Sequence, residues 1–270
     1  MRHWRRSSFI FLCLVLATTA CSGSAESESD GESGTESAAD SASAPAETAS
    51  EATTGDASDC ASAVEGVACT LTEFQPPITV PVAAGWHYFP APSAWDDQAA
   101  QFGRSDSETS YLSFNSVRRV YDYADPASVP AVTDAPSDVE GMVEFLTTRP
   151  GMTMSDPVDT TVAGHPAVQI DGEVTDTPSA VASEPDSCPM GPRAGELLLF
   201  AIGECSDDAV PGEDYDLFWL AEDTRVRITV VDVEEAERPL VIVFEDAVDS
   251  FEETAVQADE MLAGLQIGDG

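Results

Sequence analysis

One break in composition constrains this chain more than any motif does. Residues 22–59 are built almost entirely from Ala, Ser, Glu, Asp, Gly and Thr, with ten acids, no base and no aromatic side chain. Such a stretch cannot bury enough apolar surface to offset the entropy of ordering it, so it is expected to be a disordered acidic spacer. Any fold must come from residues 60–270, which hold 40 acids, eight arginines and every aromatic residue beyond position 11. These 211 residues suffice for one good core, and no second linker or internal repeat divides them, so the expectation is a single domain.

Upstream of the spacer, Arg2, Arg5 and Arg6 precede an apolar run at residues 9–17, and Thr18, Thr19 and Ala20 lead to Cys21. A basic start, an apolar run and small residues make the layout of a secretory signal, here residues 1–20. The nine-residue run is too short for a hydrocarbon core of about 30 Å, which takes roughly 20 helical residues. Cys21, directly after this segment and before Ser22-Gly23-Ser24, resembles the lipid-modified cysteine of bacterial lipoproteins. That resemblance implies lipid attachment at Cys21, a membrane partner reached through the N-terminal anchor, and a place on the outer face of the cytoplasmic membrane. Thr18 and Ala20 also suit an ordinary signal cleavage site, the rival reading, which would release the protein. As a flexible coil the 38-residue spacer would span roughly 35 Å, enough to hold a domain clear of a membrane.

The chain has 50 acids and 11 bases, all arginine, for a net charge of −39. Without the three arginines of the signal, eight arginines face 50 acids, a net charge of −42. This repels phosphate backbones and anionic lipid surfaces, which argues against nucleic acid as a partner and against a polybasic membrane contact.

Cys60, Cys69, Cys188 and Cys205 remain beyond the signal and the anchor. An even number in an exported chain reads as disulfides, and sequence neighbours are the expected pairs, Cys60 with Cys69 and Cys188 with Cys205. Zinc is the competing use, but the spacings lack the close C-x₂₋₄-C pairs of zinc knuckles.

Residues 78–82 read as a strand running into the aromatic cluster Trp86-His87-Tyr88-Phe89, and residues 109–120 as a longer alternating strand. Ser137 and Glu140 have capping-box spacing, and Val139, Met142, Val143 and Leu146 follow at helical spacing. Residues 158–162 and 167–174 form an expected hairpin around Gly164-His165-Pro166, followed by a loop at 175–195. Strand-length apolar runs stand at 196–202, 217–221, 225–233 and 240–244. Arg225 and Arg227 alternate with apolar residues, whereas 240–244 is apolar throughout, as a strand covered on both faces would be. Ser250 and Glu253 offer a second capping box before the stripe Phe251, Ala255, Ala258, Leu262, Leu265. Two amphipathic helices beside mainly antiparallel strands give an α+β fold class. Residues 139–174 and 225–267 resemble uncharacterised exported lipoprotein domains of high-GC Gram-positive bacteria and, more distantly, LpqN-type lipoproteins with a PsbP-like fold. The resemblance implies an α-β-α sandwich and a non-enzymatic envelope module.

No G-x-S-x-G, Walker, H-E-x-x-H or dinucleotide-binding pattern occurs, so no catalytic residue and no cofactor is expected. His87 and His165 read as a packed or surface residue and a turn residue. Asp207, Asp208, Glu213, Asp214 and Asp216 are dense enough to suggest calcium but do not match an EF-hand loop, and a solvated loop is the plainer reading, so no metal site is assigned. Trp86, Tyr88, Phe89 and Trp95 are candidates for a groove that takes a sugar or lipid, with core packing as the competing role. The functional expectation is a lipid-anchored extracytoplasmic binding or interaction module whose partner is an envelope protein or small ligand. Its rivals are an exported hydrolase and a calcium-dependent surface module.

Overall fold

The structure, a computed structural model, describes residues 60, 66–89, 99–124, 131–177, 195–203 and 215–268. Along them run β1 (Ala68–Leu71), β2 (Ile78–Pro81), β3 (Trp86–Phe89), β4 (Ala99–Arg104), β5 (Tyr111–Ser116), β6 (Arg119–Asp122) and β7 (Ala131–Asp134). There follow α1 (Val139–Thr147), β8 (Met152–Met154), β9 (Val158–Val162), β10 (His165–Val174), β11 (Glu196–Gly203), β12 (Tyr215–Ala221), β13 (Thr224–Val231), β14 (Leu240–Ala247), α2 (Phe251–Ala263) and β15 (Gln266–Ile267).

The most apolar strand lies inside the largest sheet. Eight antiparallel strands pair in the order β3-β4-β5-β14-β13-β10-β8, with β9 on the first half of β10, so β14 is flanked by β5 and β13 and needs apolar side chains on both faces. Val241 and Val243 point to one face, and Leu240, Ile242 and Phe244 to the other. The first face is covered by α1, through Met142 and Leu146, and by a four-stranded sheet ordered β12-β11-β6-β7. The second is covered by α2, through Phe251, Ala255, Ala258 and Met261, and by the small sheet β1-β2-β15. Two cores therefore sandwich one sheet, and the fold is α+β and mainly antiparallel.

The Arg225/Arg227 alternation on β13 has a definite use. Val226, Ile228 and Val230 enter the first core, and the arginines emerge under α2. Arg227 lies across the Phe251 ring and pairs with Asp171 at 2.9 Å and Asp259 at 2.8 Å, while Arg225 pairs with Glu252 at 2.6 Å. Cation, ring and acids together fix α2 on the sheet.

Three local expectations are corrected. Residues 109–120 are two strands, because the chain breaks after Ser116 and sends β5 into the large sheet and β6 into the four-stranded one. Asp138, not Ser137, caps α1: its backbone is extended (φ −134°, ψ 165°) and its carboxylate accepts from the Gly141 N–H at 2.8 Å. Ser250 already has helical backbone angles (φ −103°, ψ −12°), so its hydroxyl turns back to the Ala247 carbonyl instead of capping α2.

The β9–β10 hairpin closes through Ala163 and Gly164 rather than the expected Gly164-His165-Pro166: both are at positive φ (52° and 83°), as a two-residue turn matched to strand twist requires, and His165 and Pro166 already pair within β10. Gly103 is demanded by close approach: a Cβ there would lie 2.3 Å from the Phe89 ring. Cys60 and Cys69 form a disulfide that ties the chain ahead of the domain to β1.

Candidate functional site

Three connections meet at one end of the sheets: the segment between β1 and β2, the break between β5 and β6, and the β13–β14 connection. They enclose a cleft of about 430 Å³, within the range of small-molecule sites. Its apolar wall is the margin of the second core, with Phe74, Ile78, Val233 and Leu240 buried and Ile267 closing one side. Its rim is charged, with Arg118 and Arg238 facing Glu73, Glu235 and Glu237. Rigid strands thus position a cavity lined from loops, the usual arrangement for a binding site.

Arg238 is distinctive within this rim. It is half-buried, and one guanidinium nitrogen donates to the Ala135 carbonyl at 2.9 Å. Arg104, Arg119, Arg225 and Arg227 each pair with a carboxylate. Arg238 pairs with none among the described residues.

The predicted aromatic groove does not form as one surface. Alternation along β3 sends Trp86 and Tyr88 to the second core and His87 and Phe89 to the opposite face. Trp86 is buried, meets the Phe244 ring at a tilt and donates its indole N–H to Gln257 of α2 at 3.0 Å. Tyr88 packs edge-on to Phe102, while the exposed Phe89 meets Tyr111 and the His87 ring. Ser105 Oγ lies 3.3 Å from His87 Nδ1, and His165 stands at the start of β10 beside the hairpin turn. Trp95, Cys21, Cys188, Cys205, Asp207, Asp208, Glu213 and Asp214, together with the signal and spacer, lie outside the described residues, as does the side chain of Asp216. Among the described residues no cluster of metal-ligating side chains occurs, and no helix is long and apolar enough to cross a membrane.

Two consecutive carboxylates carry opposite perturbations. Burial, reinforced by the charge of Asp246, pushes Glu245 up to about 8. Burial also opposes the charge of Asp246, but the surrounding donors, with Ser110 and Thr254 close by and the Ala247 N–H and the Thr109 hydroxyl donating to its Oδ1, outweigh it and hold that carboxyl below its ordinary value. Because β14 alternates, the two side chains stand on opposite faces of the sheet and do not converge as an acid–base pair.

Arg149, just beyond α1, is 3% exposed and has no carboxylate partner among the described residues. It donates to the Tyr121 and Leu198 carbonyls and lies over the rings of Tyr123 and Phe145, joining α1 to the four-stranded sheet. Burial lowers its pKa to about 10 and raises that of Tyr123 to about 12.

The sequence offered no linear signal for the cleft, since Phe74, Arg118, Arg238 and Leu240 are brought together only by the topology. The nearest clue was an arginine set among Glu234, Glu235 and Glu237 between two apolar strands.

No family model and no curated protein matches the chain. Among solved structures it is similar to LpqN of Mycobacterium tuberculosis, described as involved in cell envelope biogenesis, with 13% identity, a TM-score of 0.36, and coverage of 71% of this chain and 83% of that one. It is also similar to the cyanobacterial PsbP (CyanoP) of Synechocystis sp. PCC 6803, with 8% identity, a TM-score of 0.33, and coverage of 70% and 86%.

Proposed function

We propose that this protein is a lipid-anchored, extracytoplasmic binding module of the cell envelope that takes a small amphipathic ligand. The cleft carries the reading: an apolar wall of buried side chains under a rim of arginine and glutamate suits a molecule with a hydrocarbon body and a polar end. The anchor is supported by the basic and apolar start, Cys21 and the 38-residue spacer, which would place the cleft within reach of ligands at the membrane surface.

Native mass spectrometry of the protein isolated from its own envelope tests the binding. The reading expects a co-purified species of a few hundred daltons that is lost in Ala236→Trp, a variant that fills the cleft, while the unfolding midpoint stays unchanged. Equal occupancy in both proteins, or none in either, would contradict it. The anchor is tested separately by membrane pelleting, where Cys21→Ala should move the protein into the soluble fraction.

A further inference from the structure

From the rim of the cleft we infer that the ligand is a single-chain anionic amphiphile whose headgroup is held by Arg238; this rests on the cleft being the binding site. Each of Arg104, Arg119, Arg225 and Arg227 pairs with a carboxylate in a protein where acids outnumber bases 50 to 11. Arg149 also lacks a carboxylate, but it is 3% exposed and engaged by two carbonyls and two rings, whereas the half-buried Arg238 lines the cleft. Arg238 is held by the Ala135 carbonyl through one terminal nitrogen, which leaves further N–H donors of a planar fork suited to a carboxylate or phosphate.

The buried Leu240, Val233, Phe74 and Ile78 line the same cleft, so a chain entering with the headgroup finds hydrocarbon to pack against, beside polar lining from Gln75 and Ser116. The protein's overall negative charge does not forbid this. Exposed charges act over a screening length of about 8 Å at physiological salt, whereas a bidentate guanidinium pair acts at contact. Glu235 and Glu237 are exposed at the rim and stay solvated there.

Calorimetry on the full chain with octanoate, octyl phosphate, 1-octanol and inorganic phosphate tests the inference. Both charged amphiphiles should bind at least tenfold more tightly than octanol. Arg238→Gln should remove that difference without weakening octanol, and Arg238→Lys should keep part of it. Octanol binding as well as octanoate, with Arg238→Gln silent, overturns the headgroup assignment and leaves the binding reading intact. Inorganic phosphate binding as tightly as octyl phosphate overturns the amphiphile and leaves a simple anion site. Uptake of no amphiphile, with no co-purified species in the native spectrum, overturns both.

Discussion

The buried Arg149 shows how one residue can hold two layers together without an ion pair. Its fork satisfies two carbonyls from different strands and its plane covers two rings, so neither charge nor length alone reproduces it. Arg149→Ala is expected to cost about 3 kcal/mol or more in denaturant unfolding, and Arg149→Lys about 2 kcal/mol, because carbonyls would be left buried and unmatched. A loss below about 0.5 kcal/mol for the lysine variant would contradict this. The helix before Arg149 was readable in the sequence from the spacing of Val139, Met142, Val143 and Leu146, but the burial of Arg149 was not, since an arginine in an acidic chain is ordinarily solvated. Glu245 and Asp246 make opposite predictions. Glu245 titrates higher folded than unfolded, so stability falls as pH rises from about 4.5 to about 8. Glu245→Gln should therefore stabilise the protein at pH 8 by about 1–3 kcal/mol and make little difference near pH 4. Asp246 titrates lower when folded, so its contribution is present above its ordinary value of 3.8 and is lost as pH falls through the folded value. Asp246→Asn should destabilise at pH 7 and lose its effect in acid, as thermal unfolding across pH would show.

At the level of elements, periodicity was a reliable guide both where two faces of a segment meet protein and where a single apolar stripe does. The all-apolar run at 240–244 became the interior strand β14, and the stripe from Phe251 became α2. It misled where chain direction changes without a turn signal. Tyr111 to Val120 alternates smoothly in sequence, yet Val117 and Arg118 carry the chain from one sheet to another. Alternation also explains the fate of the aromatic cluster, since four neighbours on one strand cannot share one face. Trp86 is the side chain that joins β3 to α2, through Gln257 and Phe244. Trp86→Phe keeps most of the packing and loses the hydrogen bond, with an expected cost of about 1–2 kcal/mol by equilibrium unfolding, whereas Phe89→Ala on the opposite, exposed face should cost less.

For the molecule as a whole, the break in composition at residue 60 sets the expectation that the core is built from residues 60–270. The α+β class followed from helix and strand periods. The cleft did not, because its walls come from segments more than a hundred residues apart. The Cys60–Cys69 bond ties residue 60 to β1, and its loop entropy is worth about 2–3 kcal/mol. The paired substitution Cys60→Ser with Cys69→Ser should lower the denaturation midpoint by a corresponding amount without changing amphiphile uptake. The central claim, that the cleft rimmed by Arg238 is the ligand site, is tested most directly by mapping backbone amide shifts during an octanoate titration. Saturable shifts are expected at residues 73–78, 116–118 and 233–240. Shifts centred on β3, or none at saturating octanoate, would contradict it.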